Sequence, residues 1–213
     1  MTAMLNRLIL AAFFLLAGCA SNVYDSLDSR GVERGDLLLE QISQTRGALV
    51  ESGASLEAMA DAFAAVQGEA GAALAKRADK AAATQQAAAA HAQTLRIRIS
   101  SLKSVGKDYF NAKERDIGFM KESAEKFNAL NDLGAENGEF DAVVTACLST
   151  SAHIDRLIAA YAGEKRFLDA NRGAAAIASR QGALDALAGT AGQTQSMIDD
   201  TTAMIDHFVA ARK

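Results

Sequence analysis

Apolar residues recur along this chain at alternating steps of four and three. The first series is Leu38, Ile42, Thr45, Leu49, Ser52, Leu56, Met59, Phe63, Val66. A second runs Phe140, Val144, Cys147, Ser151, Ile154, Ile158, Tyr161, Lys165, Leu168. A third runs Ile177, Gln181, Leu184, Ala188, Ala191, Gln195, Ile198, Thr202, Ile205, Val209. A mean repeat of about 3.5 residues keeps one stripe of a helix against a partner, so each series predicts a helix with a coiled-coil-like seam. Polar members of a seam weaken its packing and help fix its register. From Ala70 to about Phe127 the pattern is looser. The alanine-rich KAAATQQAAAAHAQ is followed by Leu95, Ile99, Leu102, Tyr109, Ile117 and Met120. Nothing alternates with period two for long, so no sheet is expected.

Breaks in this pattern are few. SRGVERG (29–35) separates a polar tether from the first helix. VQGEAGAA (66–73) predicts a turn through Gly68 or Gly71, and DIGFM a turn or kink at Gly118. NDLGAENGEF (131–140) is the strongest loop signal, with two glycines and Asn137 placed to cap the next helix. DANRGAAA (169–176) ends a helix near Gly173, at a C′ position. One helix from 70 to 131 would run roughly 90 Å against about 50 Å for its neighbours. It therefore bends at Gly118, overhangs, or ends there. The expected fold is all-α: an elongated antiparallel bundle of three to four long coiled-coil-like helices over residues 35–213. Composition agrees, because the chain contains no proline and is rich in alanine, the best helix former.

The N-terminus reads differently. Arg7 precedes the ten-residue apolar run Leu8–Ala17. As a helix that run spans roughly 15 Å, about half a bilayer core, too short to cross. A charge, a short apolar core and small residues make a secretory signal peptide over residues 1–18. It ends Leu16-Ala17-Gly18-Cys19, which resembles the bacterial lipobox. The resemblance implies that the Cys19 sulfur takes a diacylglycerol, that the chain is cut before it, and that the new amine is acylated. Each buried methylene contributes ~0.8 kcal/mol, and two chains already anchor stably. Residues 19–34 are then the lipidated cysteine and its tether. Gram-negative lipoproteins with aspartate after the cysteine stay in the inner membrane. Ala20 stands there, which implies the periplasmic face of the outer membrane.

With Cys19 carrying lipid, Cys147 has no disulfide partner and reads as a buried, inert thiol. The net charge of −4 becomes about −5 once Arg7 is removed, an acidic balance that argues against nucleic acid. No glycine run has the context of a phosphate loop, so no nucleotide is expected. Ser100 and Lys103 match S-x-x-K, but the companion motifs of that enzyme class are missing. Ser149 and His153 share a helix face, while Asp155 points about 200° away and cannot orient the imidazole. His91, His153 and His207 lie on separate segments without ligand spacing, so no metal or cofactor is expected. Arg96, Lys103 and Lys107 form a basic stripe, facing either anionic headgroups or acids on a neighbouring helix. Asp199, Asp200 and Asp206 are the candidate acids.

The stretch EKRFLDANRGAAAIASRQGAL (164–184) and the tether SNVYDSLDSRGVERGDLLLEQI resemble a bacterial lipoprotein family of unknown function, domain of unknown function 2959. The resemblance covers the mature chain. It implies about 190 residues of helical, coiled-coil-like sequence after a lipobox, and a continuous helix where LGAENGE stands. It supplies no catalytic residue. The expected role is a membrane-anchored periplasmic lipoprotein acting as a structural or protein-interaction module of the envelope, without catalysis. Its partners would be the membrane, through Cys19, and an envelope protein or a second copy. The competing expectation is an envelope enzyme with a site assembled from several helices.

Overall fold

A computed structural model describes residues 33–69, 71–171 and 173–212. The signal segment, Cys19 and most of the tether lie outside the described residues. Among the described residues there are five helices, in chain order: α1 (Arg34–Ala64), α2 (Gly71–Gly118), α3 (Ala124–Ala170), the short α4 (Ala174–Ala178) and α5 (Gln181–Ala210). The four long ones form a ring. α1 packs on α2 and α5, α3 packs on the same two, and α1 meets α3 only sparingly across the diagonal. Each ring neighbour runs antiparallel to the next.

All nine members of the first seam, Leu38 to Val66, are buried. The looser α2 buries Ala78, Ala81, Ala88 and Ala92 before Leu95, Ile99 and Leu102. Alanine leaves little volume there, and Leu56, Met59 and Phe63 of α1 join the same core. α3 buries two adjacent rows, including Val143 with Val144 and Leu157 with Ile158, because it has a neighbour on each side.

The expected turns at Gly68 and Gly118 are present. Gly68 (φ 75°) and Gly71 (φ 59°) both take the left-handed conformation that glycine tolerates. α2 ends at Gly118, and Ser123 caps α3 by accepting from the Lys126 amide (3.3 Å).

Four expectations about the helices are corrected. The loop at 131–138 is helix, inside α3, and Asn137 caps nothing. Two helical glycines cost about 1 kcal/mol each, but Leu133 packs against the core and Glu136 and Glu139 bind neighbouring segments. Tertiary contacts outweigh the local turn signal, and the continuous helix implied by the family resemblance is what forms. Gly173 is not a left-handed C′ residue: its φ is −89°, and it precedes α4. The helix ends three residues earlier, where the Asn171 amide and side-chain Nδ2 both donate to the Phe167 carbonyl (2.9 and 3.0 Å). The third seam is half right. Leu184, Ala191, Ile198 and Ile205 are buried, but their companions are Thr194, Thr201 and Phe208, not Gln195, Thr202 and Val209. In the second seam Glu164, not Lys165, takes the buried place.

α2 (48 residues) and α3 (47) are longer than α1 (31) and α5 (30). Tyr109 of α2 lies against Gly35 in the first turn of α1. Beyond that level α2 and α3 continue as a two-helix overhang, with the turn 119–123 at its tip.

Candidate functional site

Cys19, the one residue assigned a modification, lies outside the described residues. Cys147 is fully buried in its seam, and burial pushes its thiol up to about 12, so no useful thiolate forms near neutral pH. Ser149 is exposed, and His153 is half-buried one turn on. Asp155 does not serve that histidine; its carboxylate accepts from Arg96 on α2. His91 stands 3.6 Å from Glu51 of α1, whereas His207 lines a cleft between α3 and α5 with Val143, Met204 and Phe208. Among the described residues no group of three or more His, Cys, Asp or Glu side chains is placed to hold a metal.

The basic stripe is corrected in part. Arg96 does pair with an acid, but on α3 rather than α5. Asp206 instead takes Arg46 of α1 in a two-pronged pair (2.7 and 3.0 Å). The reason is ring order: α2 packs on α1 and α3, and α5 lies across the diagonal from it. Lys103 and Lys107 are exposed.

Two polar clusters that periodicity does not reveal close the ends of the four-helix body. At one end the Tyr109 hydroxyl donates to Glu136 Oε1 (3.0 Å), and Lys113 stands 3.5 Å from Glu136 Oε2. Arg212 donates to Glu136 and Glu139 (both 3.2 Å) and to the Phe208 carbonyl (2.6 Å). Its guanidinium lies 3.3 Å from the Phe208 ring centre. Burial pushes the Tyr109 phenol up. This collar ties α2, α3 and the C-terminal residues at the base of the overhang, beside the aromatic row Phe110, Phe140 and Phe208. At the other end Glu164, only 6 % exposed, accepts from Arg180, which stacks on Phe167. The ion pair holds the Arg180 guanidinium above its ordinary range. Tyr161 packs on Phe63 with its hydroxyl buried and unpartnered, and burial pushes that phenol up to about 12. In between, Thr150 and Thr201 join their hydroxyls across α3 and α5 (2.8 Å). Apart from the Tyr161 hydroxyl, these polar groups bind one another, which is the chemistry of register and rigidity.

The surface feature that stands apart is the overhang. Phe119 is 89 % exposed, Phe127 65 %, Leu130 41 % and Met120 38 %. The remaining large exposed apolar residues, Val50, Ile97, Leu148 and Met204, are scattered one to each long helix. No described helix is long and apolar enough to cross a membrane. The signal for the tip was present in the sequence as bulky residues flanking the Gly118 break.

A family model described as a protein of unknown function (DUF2959) matches residues 23–211. No curated protein and no solved structure matches the chain.

Proposed function

As the chain belongs to a family of proteins of unknown function (DUF2959), a role must come from its own residues, and we propose that it is a lipid-anchored module of the bacterial envelope that works through contacts rather than catalysis. The Cys19 lipid holds it on the periplasmic face of the outer membrane, and the helical rod presents its surface to an envelope protein or to a second copy. The observation that carries the reading is where the rod starts. α1 begins at Arg34, fifteen residues after the lipobox cysteine, at the overhang end of the four-helix body. Fifteen residues can reach at most about 50 Å, enough to clear the headgroups. The interior supports the same reading: Cys147 is buried, and Asp155 and Glu164 are held by Arg96 and Arg180.

The test is Cys19→Ser in the full chain. Membrane attachment after a carbonate wash should be lost, and labelling by a fatty-acid analogue should vanish. A variant that is processed normally and stays on the membrane to the same extent would end the lipoprotein reading. Turnover of a nucleotide or peptidoglycan fragment by the wild type, abolished by a change at Ser149, His153 or Cys147, would favour the enzyme instead.

A further inference from the structure

We propose that the tip of the α2–α3 overhang, residues 117–130, rests in the interfacial layer of the membrane that the Cys19 lipid enters, as a second and apolar contact beside the anchor. The proposal rests on the lipid-anchor reading of Cys19.

Geometry brings the two together. The start of α1 and the overhang lie at the same end of the molecule: Glu33, Arg34 and Phe119 line one cleft. Glu33 follows Cys19 by fourteen residues, a span of roughly 20 Å on average and about 50 Å at full stretch. The overhang continues nine residues past Tyr109 to Gly118, which carries the tip ~14 Å beyond the first turn of α1. A membrane holding Cys19 is therefore within reach of the tip. Tethering of this kind turns a weak contact into a frequent one.

Chemistry fits the same occupant. Phe119, Met120, Phe127 and Leu130 expose apolar surface within twelve residues of chain, and aromatic side chains suit the headgroup–acyl boundary. A turn facing lipid must satisfy its own backbone. Here the Phe119 amide bonds to the Arg115 and Asp116 carbonyls (both 3.3 Å) and the Met120 amide to Ile117 (3.0 Å). The Gly118 carbonyl accepts from Lys126 Nζ (3.2 Å), and that ammonium also pairs with Glu122 (2.7 Å). Charges around the tip balance: Lys113, Arg115, Lys121 and Lys126 stand against Glu114, Asp116, Glu122 and Glu125. The contact is thus apolar and does not depend on anionic lipid.

The experiment uses the full lipidated protein in vesicles of phosphatidylethanolamine and phosphatidylglycerol. A fluorophore is attached through Phe119→Cys, Phe127→Cys or, as the reference on the body, Leu148→Cys; buried Cys147 stays unlabelled. A quencher carried on the acyl chains should act several-fold more strongly at 119 and 127 than at 148. Phe119→Ser should weaken quenching of the dye at 127, and omitting phosphatidylglycerol should change little. Equal quenching at all three positions, in protein that remains on the vesicles, overturns the tip contact and leaves the anchor standing. So does an unquenched tip that crosslinks to a second copy or to another protein. A chain that carries no lipid and leaves the vesicles overturns the anchor reading, and this inference with it.

Discussion

The four-helix body and the two-helix overhang are built from the same kind of sequence yet behave as opposites. In the body Phe140 and Phe208 are buried, their rings 6.0 Å apart, with Phe110 beside them. In the overhang Phe119 and Phe127 stand in solvent. The difference is the supply of partners. α1 starts at Arg34 and the last helix ends at Ala210, so among the described residues α2 and α3 run on with only each other to cover them. Periodicity makes an apolar stripe, but whether that stripe becomes core or contact surface is decided by how many helices reach that level. The body uses its apolar residues to build its own core, and the overhang leaves Phe119 and Phe127 exposed.

The sharpest way to break this contrast is to truncate one phenylalanine in each region. Phe140→Ala should cost about 3–5 kcal/mol of unfolding free energy, whereas Phe127→Ala should stay within ~0.5 kcal/mol. Urea denaturation of the two variants reads both, and equal losses would show that the overhang is packed. Alkali should act on the body alone. Cys147 (ordinary value 9.0) and Tyr161 (10.0) are both pushed up to about 12 by burial. A raised folded value means that the stability is fully present below pH 9 and is lost as pH climbs toward 12. Together the two should remove about 6 kcal/mol over that window. A melting temperature that stays flat between pH 9 and 12 would contradict their burial.

Gly→Ala substitutions should change sign between the regions. At Gly106 an added Cβ would collide with the Phe140 ring, so Gly106→Ala should destabilise by about 1–3 kcal/mol. At Gly134 nothing lies within 4 Å, so Gly134→Ala should stabilise by up to ~1 kcal/mol. Thermal melts of both variants check the pair; a destabilised Gly134→Ala would mean that this stretch is not helix. The smallest effect is expected from Arg96→Ala. Its ion pair with Asp155 is about two-fifths exposed on each side, worth ~0–1 kcal/mol and screened by salt. A larger loss that persists at high salt would give that pair a structural role.

Most of the fold is legible in the chain. The first seam can be read residue by residue because the residues buried beside its 4-3 stripe, Ala48, Gly53 and Ala62, are all small. The last seam reads one residue off at alternate positions, although the sequence holds the clue: Phe208 is bulkier than the adjacent Val209, and Leu187 than Ala188. The false loop at 131–138 arises because Gly134, Asn137 and Gly138 are local turn signals, while what holds them in helix is Glu136 bound to Tyr109 and Arg212, far away in sequence. The partner of Arg96 is hidden for the same reason. Periodicity tells which face of a helix is inward but not which helices are adjacent in the ring. The exposed tip depends on helix lengths, which only the true ends of α1 and α5 reveal.

The functional account depends most directly on the state of residue 19. Intact mass spectrometry of the protein extracted from membranes should find a chain that begins at Cys19 and carries a diacylglycerol and an amide-linked acyl group. A chain that begins at any other residue, or at Cys19 without lipid, would contradict it.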